Sequence, residues 1–144
     1  MIHRKLVVAF CVLWVLVAVT SSCTRSVDKD LTGEAVVAAE AWLGVVDRGE
    51  YGVSWDKSAE VFQAAVSKAN WDQTMTAMRR PLGDLISRSV QSAKFATSLP
   101  GAPDGEYVVI QFTTGFSNKE SAIETVTPMK GSDGVWRVSG YFIK

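Results

Sequence analysis

Apolar positions between residues 32 and 81 recur at the three- and four-residue spacing of helices. The segment from Thr32 to Gly49 predicts a first helix, in which Thr32 is the N-cap and Gly49 the C-terminal stop. Ser54 is placed to cap a second helix, whose apolar positions are Trp55, Ala59, Phe62 and Val66. A third helix is predicted to open at Asn70 and to end before Pro81.

The periodicity changes to strict alternation after Gly83. In residues 107–116 the positions predicted to share one face are Val108, Ile110, Phe112, Thr114 and Phe116. Turn signals at residues 100–105, 117–120 and 131–134 divide the second half of the chain into four strands. The sequence therefore predicts an α+β fold, in which three N-terminal helices pack on one face of a four-stranded antiparallel meander sheet, with residues 32–144 as one domain.

The N-terminus has the pattern of a secretory signal peptide. A basic MIHRK segment precedes an uncharged run from Leu6 to Val19, which is shorter than the roughly 20 residues of a transmembrane helix. Small residues follow up to Cys23. We predict a signal peptide over residues 1–22, and an uncleaved signal-anchor remains the alternative.

The segment Thr20, Ser21, Ser22, Cys23 resembles the lipobox of bacterial lipoproteins. The resemblance implies that Cys23 is lipidated and attaches the protein to a membrane, with residues 23–31 as the lipidated cysteine and a polar tether. Thr24 after the cysteine favours the outer membrane of a Gram-negative host, so the expected location is the periplasm, as an outer-membrane lipoprotein. The motif usually has leucine where Thr20 stands, which keeps cleavage to a soluble periplasmic protein as the alternative.

The residues that are missing after the signal exclude several kinds of chemistry. The single histidine is His3, and both cysteines, Cys11 and Cys23, precede residue 32. Zinc sites built from His and Cys and catalysis by Ser-His-Asp or Cys-His groups are therefore not expected, and no metal or cofactor is predicted. Removing Arg4 and Lys5 leaves 13 basic residues against 15 acidic ones, which gives no basic surface for nucleic acid.

Asp47 and Tyr51 are the first candidate site residues, because an acid and a phenol stand four positions apart at a predicted helix end. One interpretation places them at the rim of a pocket. In the other, Asp47 ends the helix through hydrogen bonds and Tyr51 buries its ring.

Arg88 and Glu124 alternate with apolar residues and are predicted to point toward the apolar side of their strands. A buried charge needs a partner, so we expect Glu124 to pair in the interior with Arg88, or with Arg79 or Arg80. Outward placement in solvent and contact with a ligand remain the alternatives. No metal-ligating residues are predicted.

Several segments resemble the bacterial domain-of-unknown-function family 4019: AWLGVVDRGEYGVSW, RRPLGDLISR, LPGAPDGEYVVIQFTTGF, ETVTP and WRVSGYFIK. The resemblance spans nearly all of residues 34–144 and implies no activity. The order of helices and strands is also similar to the cone-shaped nuclear transport factor 2-like and cystatin-like folds, which implies a curved sheet.

We expect a non-catalytic binding or interaction module of the cell envelope. Its expected partners are a membrane, through Cys23, and a protein or small molecule of unknown identity, and a homodimer is possible. The alternative is a small enzyme of the lyase or isomerase type that uses Asp47 or Glu124 with Tyr51.

Overall fold

The computed structural model describes residues 22–144, with side chains from residue 31 onward. The signal peptide predicted over residues 1–22 lies outside the described residues except for Ser22. The side chain of Cys23 lies outside them as well. Cleavage and lipidation therefore stay predictions.

Within residues 22–144, four helices precede the sheet, where the sequence predicted three. Their bounds are Ser22–Asp47 for α1, Tyr51–Asp56 for α2, Glu60–Ala65 for α3 and Lys68–Arg79 for α4.

The second predicted helix is divided into α2 and α3, because Ala59 leaves the helical path. Ala59 has an extended backbone with ψ of 151°, and its N–H donates to the carbonyl oxygen of Val138 at 2.8 Å. The side-chain amide of Gln63 donates to the carbonyls of Trp55 and Ser58, which satisfies groups that a longer helix would have used. Ser54 lies inside α2 and is not its N-cap.

Two predicted helix starts are also wrong. The first helix begins at Ser22 instead of Thr32, and no glycine or proline interrupts the backbone between them, so the segment predicted as a tether is helical. The N-cap of α4 is Ser67 and not Asn70. The Ser67 hydroxyl accepts the N–H of Asn70 at 3.3 Å.

The four predicted strands are confirmed as one open antiparallel sheet in the order β1-β2-β3-β4. Their bounds are Leu85–Ala96, Tyr107–Phe116, Lys119–Lys130 and Trp136–Ile143. The five residues predicted to share one face of β2 are all buried, with at most 3% of any of them exposed.

Helix α1 contacts all four strands and supplies the centre of the core. Ala35, Ala39 and Leu43 have no exposed surface, and they pack with the buried side chains of β2, β3 and β4. The indole of Trp42 meets the ring of Tyr141 at 5.5 Å between centroids. Asp47 is the last residue of α1 and therefore lies at the C-terminal end of this core helix.

Candidate functional site

Four charged side chains from four different elements meet at the C-terminal end of α1. Asp47 is the last residue of α1, Arg79 is the last residue of α4, Arg88 lies on β1 and Glu124 on β3. We call these four residues the ion ring. A single sheet could not bring them together, because two of them come from helix ends.

Each arginine of the ion ring binds both carboxylates. Arg79 donates to Asp47 Oδ1 at 2.6 Å and to Glu124 Oε1 at 3.0 Å. Arg88 donates to Asp47 Oδ2 at 2.7 Å and to Glu124 Oε2 at 2.7 Å. Two positive and two negative charges therefore alternate around a closed ring, and the group as a whole is neutral.

Neighbouring polar groups complete the coordination of Glu124. The hydroxyl of Thr114 donates to Glu124 Oε2 at 2.7 Å, and the hydroxyl of Tyr141 donates to Oε1 at 2.7 Å. The Tyr141 oxygen also accepts from Arg79 at 3.3 Å. The Arg79 guanidinium lies over the ring of Phe116 at 4.6 Å, which supports it from the apolar side.

The ion ring is largely removed from water. The exposed fraction of the side chain is zero for Glu124, 6% for Arg79, 11% for Arg88 and 17% for Asp47. Carboxylates at this depth persist only when they are paired and hydrogen-bonded, and each oxygen of both carboxylates accepts at least one bond. Asp47 keeps the most contact with solvent.

The pKa values of the two arginines of the ion ring and of Tyr141 are all raised. Burial alone would lower the pKa of Arg88, but its hydrogen bonds to Asp47 and Glu124 and their negative charges outweigh that effect and raise it. The pKa of Arg79 is raised in the same way, with Tyr141 and the two carboxylates opposing burial. Burial, reinforced by the charge of Glu124, raises the pKa of Tyr141 well above its ordinary value. These donors therefore stay protonated throughout the physiological range.

The remaining two candidates, Tyr51 and Arg80, lie outside the ion ring but next to it. A depression of about 300 Å³ is lined by Asp47, Tyr51, Arg79 and Arg80. We call it the α1-end depression; its other lining residues are Val46, Arg48, Gly49, Gly83, Asp84 and Leu85. Within the described residues, neither the Tyr51 hydroxyl nor the Arg80 guanidinium has a hydrogen-bond partner, and burial raises the pKa of Tyr51. The six candidates thus form two adjoining features that share Asp47 and Arg79.

Arg88 turns inward and pairs with Glu124 as the alternation predicted, but the two apolar residues that alternate with it are not buried. Ile86 is 70% exposed and Val90 is 42% exposed, although Arg88 between them turns inward. Strand pairing is irregular between Leu85 and Ser87, which changes the direction of the Ile86 side chain, whereas Val90 lies in the regular stretch opposite Phe112. The alternation at Glu124 holds, because Ala122 and Val126 are both buried.

Sequence reasoning did not identify Thr114 or Tyr141 as parts of the site. The signal for Thr114 was present, because a hydroxyl on the apolar face of β2 needs a buried acceptor. Tyr141 gave no comparable signal in the sequence.

Two further concavities lie away from the ion ring. A groove of about 490 Å³ separates α3 from the turn between β3 and β4, and its Asp133 pairs with Arg137 at 2.8 Å. A shallow depression of about 520 Å³ follows the exposed side of α4. Among the described residues no group of His, Cys, Asp and Glu could hold a metal ion, and none of the helices there is long and apolar enough to cross a membrane.

Comparison with known proteins gives a family and no activity. No curated protein and no solved structure matches the chain. The family model described as "Protein of unknown function (DUF4019)" matches residues 38–141, which include all four members of the ion ring. The chain therefore belongs to the DUF4019 family, as its sequence segments had indicated.

Proposed function

We propose that this protein is a binding or interaction module of the cell envelope, held to a membrane by a lipid on Cys23, and that it does not catalyse a reaction. The observation that supports the absence of catalysis is the double pairing of both interior carboxylates. Asp47 and Glu124 each accept hydrogen bonds from Arg79 and from Arg88.

A lyase or isomerase built on Asp47 or Glu124 would need a different arrangement. A general base must accept a proton from its substrate, and its pKa must lie near the working pH. Protonating either carboxylate of the ion ring would weaken two charge-assisted contacts at once. Glu124 also has no exposed surface through which a substrate could reach it.

Ligand binding agrees better with the α1-end depression. Its volume of about 300 Å³ lies at the lower end of the range for small-molecule sites. Asp47 and Arg79 of the ion ring line one side of it, while Tyr51 and Arg80 offer polar groups that have no partner among the residues described. A ligand here would be oriented by the Tyr51 hydroxyl and the Arg80 guanidinium.

The sheet is also proposed to curve around α1. Strand pairing is irregular at two places between β1 and β2, at one between β2 and β3 and at one between β3 and β4. Such irregularities bend strands and increase their twist. A curved sheet would support the expected similarity to cone-shaped folds, for which α1 would be the enclosed helix.

Backbone amide shifts of the mature chain, measured by NMR, test the proposal. The probes are acetate, inorganic phosphate and N-acetylglucosamine, added separately. We expect at least one probe to move the amide signals of Gly49, Gly83 and Asp84, and we expect Tyr51→Phe combined with Arg80→Ala to weaken that effect severalfold. Arg137→Ala, on the far groove, is the matched control.

Two results would overturn the proposal. If no probe disturbs the depression, binding there is wrong. If a turnover is found that Asp47→Asn or Glu124→Gln abolishes while the circular dichroism spectrum stays native, the protein is an enzyme.

A further inference from the structure

The two edges of the sheet differ in how their backbone groups are covered. On β4, the carbonyl of Val138 accepts the N–H of Ala59 at 2.8 Å, so the chain between α2 and α3 covers part of that edge. On β1, no backbone group outside the β1–β2 ladder bonds to any residue of the strand, within the part of the chain that the structure describes. The edge of β1 is therefore open along its length of 12 residues.

The first half of β1 exposes three apolar side chains on an open edge. In residues 85–91 every side chain except that of Arg88 is exposed. Leu85, Ile86 and Val90 are 36%, 70% and 42% exposed. Arg88 turns into the ion ring, where its charge is neutralised. Soluble proteins usually protect open edges with charged side chains, and this half-strand presents no uncompensated charge.

Opposite charges stand at equal distances in sequence on either side of Ser89. Asp84 and Lys94 are both exposed, and neither has an ion pair among the described residues. Each stands five positions from Ser89 in the sequence. If two copies of β1 paired antiparallel around Ser89, Asp84 of each copy would lie opposite Lys94 of the other.

The irregularities of β1 preserve this symmetry. Pairing with β2 shifts once between Leu85 and Ser87 and once between Val90 and Ser92. Ser89 lies in the regular stretch between the two shifts, with one shift on each arm. The two halves of β1, before and after Ser89, are therefore displaced by the same number of residues relative to β2.

We infer that β1 is a homodimer interface, in which it pairs antiparallel with β1 of a second copy around a two-fold axis at Ser89. The interface joins the two sheets into one, covers Leu85, Ile86 and Val90, and forms two Asp84–Lys94 pairs. The interface shares Asp84 and Leu85 with the rim of the α1-end depression, but it does not depend on the function proposed for that depression. Symmetric pairing of one patch with itself is the usual geometry of a two-fold dimer.

Disulfide cross-linking tests the position of the axis. In the mature chain with Cys23→Ser, the variant Ser89→Cys places two identical cysteines across the axis, within the Cα separation of about 4.4 to 6.8 Å that a disulfide allows. We expect a covalent dimer on mild oxidation. Ser121→Cys, exposed on β3, should give none. A cross-link between Ser89→Cys and a different protein, or none at all, would overturn the inference.

Exchanging the charges of Asp84 and Lys94 tests the two ion pairs that are proposed between the copies. By sedimentation equilibrium we expect Asp84→Lys or Lys94→Asp alone to weaken the dimer about tenfold or more, because each variant creates two like-charge contacts. The double variant should regain the original affinity. Asp104→Lys, exposed in the loop before β2, should have no effect. A monomeric native chain, or a dimer that neither single variant weakens, would exclude this interface.

Discussion

Asp47, at the end of a helix, and Glu124, in the middle of a strand, share both of their arginine partners. The shared partners couple α1 and α4 to two strands of the sheet at a single point. The arrangement also explains how four charges can lie at the edge of an apolar core, because each charge faces two of the opposite sign. The two carboxylates are therefore parts of one structural unit.

Breaking one member of the ion ring should destabilise the domain strongly. We expect Glu124→Gln and Arg88→Met each to lower the free energy of unfolding by about 3 to 5 kcal/mol, because each leaves buried charges without a full set of partners. Urea denaturation followed by circular dichroism measures the change. The matched control is Arg137→Met, which removes an exposed arginine from its pair with Asp133 and should cost no more than about 1 kcal/mol.

The double variant Arg88→Met with Glu124→Gln should be less destabilising than the sum of the two single changes. Once one partner is gone, removing the other leaves fewer unpaired charges, and Asp47 can still bind Arg79. The coupling free energy comes from the same denaturation series. Additive effects would mean that the two side chains contribute independently, which the geometry of the ring contradicts.

Much of the fold could be predicted because periodicity is a local property. The alternation in β2 identified Val108, Ile110 and Phe112 correctly as one buried face. The division between α2 and α3 could not be predicted, because it depends on the hydrogen bond from Ala59 to Val138, a residue distant in the sequence.

The candidate site was predictable only in part. The need for a partner to Glu124 follows from its apolar neighbours in the sequence. The choice of both Arg79 and Arg88, and the inclusion of Asp47, depends on where the ends of α1 and α4 meet the sheet. Tertiary geometry of that kind leaves no pattern in one sequence.

Lipidation of Cys23 should be visible in the intact mass of the protein extracted from membranes. We expect the mature chain to begin at Cys23 and to have the added mass of a diacylglycerol group on its thiol, because a short apolar run ends at TSSC. Cys23→Ser should abolish both the added mass and the membrane fraction. A mature form that begins at another residue, or a mass without acyl chains, would contradict the prediction.

Buried tryptophans give a test that separates hydrogen bonding from packing. Trp136 is 7% exposed, and its indole nitrogen has no hydrogen-bond partner among the described residues, whereas that of Trp42 donates to the Ser54 carbonyl at 2.8 Å. Both changes to phenylalanine remove similar volume. We expect Trp42→Phe to cost about 1 kcal/mol more than Trp136→Phe, because it removes the indole hydrogen bonds to the Ser54 carbonyl and the Ser58 hydroxyl, while that hydroxyl still donates to the carbonyl. Equal costs in thermal or urea unfolding would show that the Trp42 bond contributes little.

Alkaline pH should destabilise the domain through Tyr141. Its pKa is raised in the folded protein, by burial and by the charge of Glu124, from an ordinary value of 10.0. Below pH 10 the phenol is protonated in both states, so its contribution to stability is fully present. Above pH 10 the unfolded chain ionises while the folded chain stays protonated, so stability falls as pH rises.

Unfolding free energies of the native chain and of Tyr141→Phe, measured from pH 7 to pH 11, separate this effect from the others. We expect Tyr141→Phe to be the less stable of the two at pH 7, because Glu124 loses a donor, and to lose less stability above pH 10. Some alkaline loss should remain, since burial also raises the pKa of Tyr51. Tyr51→Phe is the matched control and should retain the larger share of the alkaline decline. Parallel curves for the native chain and Tyr141→Phe would mean that the Tyr141 hydroxyl is not held against Glu124 in solution.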